Sequence, residues 1–187
     1  MNIFYLDEDI SNCAKYHADS HVIKMILESA QILCTALAIH GIKTPYKPTH
    51  FKHPCVLWVV ESLDNWMWLR ELTLELDKEY RYRWNKNNSH KSALVVKSLI
   101  FSNIEYAESI GITQRPQAMP KEYRIPNDPI KAYRRYYAIE KYHLHKYTKR
   151  EKPYWLPDFR HKIGKKPKYE HSKRSLYSRR EYDTDRL

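Results

Sequence analysis

The chain has 187 residues, of which 42% are hydrophobic and 13% aromatic, and only three are glycine. That length and apolar content exclude disorder over most of the chain, and the scarcity of glycine argues against a turn-rich sandwich or barrel. The net charge is +11; residues 1–120 hold 13 Lys/Arg and 13 Asp/Glu, while residues 121–187 hold 20 against 9, so the whole excess lies in the last third.

Ile3-Phe4-Tyr5-Leu6 is too apolar to dangle and reads as a short N-terminal extended segment. Asp9 or Ser11 is placed to cap a helix running to about Ile39, where Gly41 stops it. Within it Val22, Met25, Ile26, Ser29, Ile32, Leu33 and Ala36 recur at three-four spacing, a core-facing stripe. Residues 42–53 form a loop containing Pro45 and Pro48, and Pro54 suits the first turn of a second helix. Its positions Val56, Val59, Val60, Leu63, Met67, Leu72, Leu76 and Tyr80 carry it to about Trp84. Ser89 is placed to cap a third helix over 91–109, closed by Gly111. Residues 112–126 hold three prolines and read as a loop. Asn127 or Asp128 before Pro129 starts a fourth helix reaching about Arg150, and Pro153 and Pro157 forbid simple continuation. The pattern predicts an all-α fold: about four main helices around a single core over residues 1–157, followed by a basic, flexible arm over 158–187.

Cys13, Cys34 and Cys55 are odd in number and widely spaced, as expected of small buried hydrophobes in a reducing compartment. The acidic start lacks the features of a signal peptide, and no uninterrupted apolar run reaches the roughly 18 residues of a membrane span. The expectation is a cytoplasmic protein with no membrane partner and no obligate protein partner. A neutral body with a basic end points to nucleic acid as the partner, and a solvated tail is the plainer alternative.

The first helix carries a second stripe that hydrophobicity does not explain. His17, His21, Lys24 and Glu28 fall at i, i+4, i+7 and i+11 and so share one helical face. A solvated face with a Lys24–Glu28 pair is one reading. Three others involve chemistry: Glu28 as an acid-base group or stabiliser of a cationic sugar, the histidines as phosphate contacts, or His17 and His21 as metal ligands completed by His50 and His53. No Glu follows His17 directly, so the His-Glu-x-x-His zinc motif is absent. His50 and His53, at the start of the second helix, offer polar groups to an anion, as do Arg83, His90 and Lys91. The most nucleic-acid-like stretch runs from Tyr133 through Arg134, Arg135, Tyr136, Tyr137 and Lys141 to Trp155, where cations neutralise phosphates and rings stack on bases.

The order of these features resembles the bacteriophage pyrimidine-dimer DNA glycosylases of the endonuclease V type. Glu28 stands where that family carries its catalytic glutamate on an early helix, and His53-Pro54 opens a long helix as in some members. Met119-Pro120-Lys121-Glu122-Tyr123-Arg124 and Lys152-Pro153-Tyr154-Trp155 look like its late proline–acid–aromatic–arginine and closing aromatic runs. The likeness spans most of residues 1–157. The opening Asn2-Ile3-Phe4-Tyr5-Leu6-Asp7 with the His17/His21 stripe is more similar to small tailed-phage proteins to which no activity attaches.

The first resemblance implies base excision from double-stranded DNA without cofactor or metal. The base is flipped out, the N-terminal amine attacks the sugar carbon, and strand cleavage follows through a Schiff base. It implies Glu28 as the catalytic carboxylate with Lys24, His17, His21 and the Met1 amine beside it. Tyr123 and Arg124 join His50, His53, Arg83, His90, Lys91, Arg134, Arg135, Lys141 and Trp155 as nucleic-acid contacts. The chain departs from the family in having Asn2 rather than a small second residue, so that Met1 itself would carry the amine. It also has Leu27 and Ser29 where arginine tends to flank the glutamate, leaving Lys24 to supply the charge from one turn away. The alternatives are a non-catalytic nucleic-acid-binding protein and a metal-dependent enzyme using His17 and His21.

Overall fold

The structure, a computed structural model, describes residues 1–99 and 110–156. The expected arm over 158–187 and the last part of the expected third helix lie outside the described residues. Met1–Leu156 forms one compact unit. The fold is all-α, and among the described residues there is no strand. The helices are α1 (Ile10–Tyr16), α2 (Asp19–Ile39), α3 (Pro54–Glu61), α4 (Leu63–Trp84), α5 (Lys91–Ser98) and α6 (Pro129–Glu140), with single 3₁₀ turns at Lys121–Tyr123 and Tyr142–Leu144.

The central element is α2, which packs on α3, α4 and α5, while α1 packs on α4. Val22, Ile26, Ile32 and Leu33 of its predicted stripe are fully buried, each contributing roughly 1.5–3 kcal/mol. By length and composition α2 is apolar enough to cross a membrane, and most of that stretch is buried in this fold. The segment Ile3-Phe4-Tyr5-Leu6 has neither helix nor strand and runs buried through the core. The three cysteines are free and buried, as their spacing predicts.

The first expected helix is two. Asp9 caps α1, accepting from Asn12 N, but the chain turns extended at His17 and Ala18 before α2 begins. The break is held by tertiary partners. Arg83 of α4 donates to the Lys15 and His17 carbonyls at 2.9 and 2.8 Å, and the Tyr137 hydroxyl of α6 accepts the Ala18 N–H at 2.8 Å. Groups freed by the missing helical turn therefore stay satisfied without water.

The second expected helix also divides, at Ser62, whose extended backbone ends α3 and whose hydroxyl caps α4 by accepting from Asp64 N. The corner aims Asn65 at the chain beyond α5. Its amide donates to Trp58 O and Thr113 Oγ1 and accepts from Thr113 N, at 2.7 to 3.0 Å. Helix α4 ends at Trp84 with Asn85 left-handed, and α5 is capped by His90 rather than Ser89.

Asp128 caps α6 as predicted, but α6 stops at Glu140, ten residues short of the expected end. Two buried acids capture the following chain. Asp19 accepts from Thr148 N and Oγ1, the Asp19 N–H donates to Lys146 O, and Glu79 holds Arg150 at 2.6 and 3.0 Å.

Candidate active site

The start of the chain is fixed by Asn2. Its Oδ1 accepts from the Tyr133 hydroxyl at 2.9 Å, its Nδ2 donates to Ala118 O at 3.1 Å, and the Cys55 thiol lies 3.8 Å from Oδ1. Three elements, α6, α3 and the 116–118 segment, thus clamp one side chain. The Tyr133 hydroxyl also accepts from Ala118 N and lies 3.2 Å from Pro116 O, so it ties that segment to Asn2. The Met1 side chain packs against the core, which holds the first residue in place.

With residue 2 fixed, its N–H donates to Glu28 Oε2 at 3.0 Å, and the Met1 amine lies 3.8 Å from the same oxygen. Lys24, one turn back on α2 and exposed, reaches Glu28 Oε1 at 3.4 Å. Glu28 itself is mostly buried, with its side chain 14% exposed. The result is a half-enclosed carboxylate contacted on one oxygen by the chain terminus and on the other by an amine. Beside it stands His53, the N-cap of α3, whose Nδ1 accepts from Cys55 N at 3.2 Å and whose Nε2 therefore carries the proton when the ring is neutral. Burial, and then the nearby N-terminal amine, push its pKa down, while Glu28 acts the other way. Burial pushes the Cys55 thiol up to about 12, so it stays protonated.

Of the expected catalytic set, Met1, Lys24 and Glu28 meet. His17 and His21 do not join them. His17 ends α1 rather than lying on α2, and its Nδ1 donates to Cys13 O at 2.7 Å. Its buried Nε2 has no partner among the described residues, and burial lowers its pKa to about 4. His21 stacks on Phe4 at 4.7 Å and meets the Tyr137 hydroxyl at 2.8 Å through Nδ1; burial lowers its pKa to about 3. Both are neutral core groups, because the lost hydration of a protonated ring outweighs the attraction of Glu79 on His17, and the neighbouring charges on His21 are all cationic. The four histidines of the metal reading are not brought together: His50 is exposed against Thr49, His53 caps α3, and among the described residues no three His, Cys, Asp or Glu converge.

The expected nucleic-acid contacts also sort by burial. Arg83 is 1% exposed and engaged by Asp19, Glu79 and two carbonyls, so it is an internal strut and not a phosphate contact. His90 Nδ1 accepts from Ser92 N as the cap of α5. Arg134 donates to Leu6 O and Asp7, its guanidinium 5.5 to 6.0 Å from the Tyr16, Tyr154 and Trp155 ring centres, and so fastens the N-terminal segment to α6. Tyr123 is buried with its hydroxyl on Glu140, and Trp155 packs on Tyr16 and Tyr137. His50, Lys91, Arg124 and Arg135 are exposed, and Lys141 is half-buried with its amine 5.1 Å from the Tyr136 ring centre.

Asn2, Tyr133 and Ala118, which build the site, were not legible as site residues. Tyr133 belongs to a run that reads equally as base-stacking aromatics, and nothing in the spacing joins residue 2 to residue 133. No protein family, curated protein or solved structure matches the chain.

Proposed function

We propose that the chain is a DNA-acting base-excision enzyme, an N-glycosylase with lyase chemistry, in which the N-terminal amine is the nucleophile and Glu28 the catalytic carboxylate. The observation that carries this is the convergence of the Met1 amine and the Asn2 N–H on one oxygen of a half-buried glutamate. An amine attacking the sugar C1′ expels the base, which leaves with the glycosidic electron pair and takes up a proton. Loss of a proton from the amine leaves an aminal; the nitrogen lone pair then expels O4′, which takes up a proton, and the opened sugar carries the Schiff base at C1′. A carboxylate beside the amine accepts the amine's proton and stabilises the positive charge that develops on the sugar. Lys24 sets the orientation of Glu28. The basic last third of the chain and the exposed cations supply attraction to the phosphate backbone. The reading suits a bacterial cytoplasm or a phage-infected host cell, where protein and DNA share one compartment.

The test is borohydride trapping on duplexes that are intact, abasic or UV-irradiated, with peptide mass analysis of the adduct. A covalent adduct on the N-terminal residue, lost in Glu28→Gln, is the expected result. Full excision by Glu28→Gln, or an adduct on an internal lysine, refutes it. The charge asymmetry alone favours a second reading, a nucleic-acid-binding protein without chemistry. That reading predicts retention of every duplex with steep salt dependence and no adduct.

A further inference from the structure

A groove of about 410 Å³ lies between residues 114–117 and 124–126, next to the clamp that fixes Asn2. One wall of this groove continues directly into the reaction centre, since the Tyr133 hydroxyl that holds Asn2 also accepts from Ala118 N and lies 3.2 Å from Pro116 O. The groove is pre-formed. Gln117 spans it, donating through Nε2 to Ile125 O at 2.6 Å and accepting from Ile125 N at 2.8 Å. Pro116, Ile125 and Pro126 give it an apolar floor, and Arg115 and Arg124 give it two positive charges.

Arg115 is held more firmly than a surface arginine. Its guanidinium lies 5.6 Å from the Tyr5 ring centre and 5.3 Å from that of Trp68, and its buried Nε has no partner among the described residues. Its Nη1 meets Glu8 at 2.8 Å, a side chain that is 74% exposed. The Arg115 side chain is only 12% exposed and stays in place, while the exposed Glu8 carboxylate regains water on parting, and a phosphate offers the fixed guanidinium fork a second, parallel contact. Arg124 uses Nε on Met119 O, which aims the rest of an otherwise exposed fork.

We infer that this groove binds a phosphodiester of the nucleic-acid strand next to the nucleotide presented to Glu28, and that Glu8 occupies Arg115 until the phosphate displaces it. The inference rests on the base-excision reading for the identity of the strand, and its test does not require the chemistry. A duplex containing tetrahydrofuran in place of the abasic sugar has no aldehyde and reports binding alone. Fluorescence anisotropy with the full chain should show that Arg115→Gln and Arg124→Gln each weaken binding about tenfold, the loss of one charge-assisted contact. Each should also lower the salt slope by about 0.9. Glu8→Gln should tighten binding about two- to fivefold, since it removes the competing carboxylate.

Thermal melting checks folding, and the exposed Arg124 and Glu8 carry the test if Arg115→Gln does not fold. Wild-type affinity and slope in both arginine variants overturn the groove, as does arginine-dependent capture of an acidic peptide in preference to the duplex, or failure of the wild type to bind the duplex. Trapping that survives while the arginine variants bind normally leaves the amine chemistry standing and removes the groove. Weakened binding without any trapping does the reverse.

Discussion

Mild acid should destabilise this protein before its carboxylates titrate, because two core histidines are held neutral. His17 and His21 titrate at an ordinary value of about 6.5 in the unfolded chain, and burial lowers them to about 4 and about 3 in the fold. Between those limits the unfolded state binds protons that the folded state refuses, so stability is fully present above pH 6.5 and falls as pH drops below it. At pH 5 the folded rings are still neutral, and each histidine has lost 1.5 pH units of protection, or about 2 kcal/mol. The two together remove about 4 kcal/mol, a large part of an ordinary domain's stability of roughly 5–15 kcal/mol. His53, His90 and His145 are lowered in the same sense and add to the fall. Burial raises the Glu79 carboxyl, but hydrogen bonds from Arg150 and Arg83 outweigh this and hold it low. Its contribution is therefore lost only below about pH 4.5, outside this window. Urea unfolding followed by tryptophan fluorescence at pH 7.5, 6.5, 5.5 and 5.0 measures the effect. An unfolding free energy that stays level to within about 1 kcal/mol across that range, with the loss confined to lower pH, refutes the reasoning.

Tyr137→Phe removes the hydroxyl that serves both Ala18 N–H and His21 Nδ1, stranding two buried groups; calorimetry should show a loss of about 2–4 kcal/mol. Arg83→Met leaves Asp19 and Glu79 short of a partner in the core and should lower stability by about 3–5 kcal/mol by urea unfolding, with a near-neutral result counting against the strut role. Ser62→Ala removes the cap of α4 together with the bond to Gly111 O, and should cost about 1–2 kcal/mol by the same assay. Burial raises Cys13 to about 11 and Cys55 to about 12, so a thiol reagent at pH 8 should leave them untouched in the native protein and modify them in urea. Rapid native modification of Cys55 would contradict the packing around Asn2.

The helical character, the buried face of α2 and the caps Asp9 and Asp128 were legible because each is set within a few residues. The breaks at His17 and Ser62 were not. Both interrupt stretches whose apolar periodicity continues across the corner, and both are held by groups distant in sequence: Arg83 and Tyr137 for the first, Gly111 and Thr113 for the second. The His17/His21/Lys24/Glu28 stripe shows the same limit. An unbroken helix places all four on one face, but the break at His17, with Phe4 and Tyr137 packed on His21, takes the histidines into the core and leaves Lys24 and Glu28 at the chain terminus. Arg83 reads as a surface cation because Glu79, one turn back, looks like an ordinary exposed helix pair and nothing nearby in sequence announces Asp19 as the second acid.

The capture of residues 146–150 by Asp19 and Glu79 has a kinetic consequence. Asp19 and Thr148 are 129 positions apart, and closing so long a loop costs on the order of 4 kcal/mol in chain entropy before any contact repays it. The closure therefore belongs to the last stage of folding, after α1, α2 and α4 have assembled. Until it happens, Arg83 alone faces two acids, and the nascent interior carries one negative charge in excess, which Arg150 neutralises on arrival. A chain cut before that arginine should reach a helical, collapsed state that fails to lock, and should aggregate during synthesis rather than accumulate as a smaller folded protein.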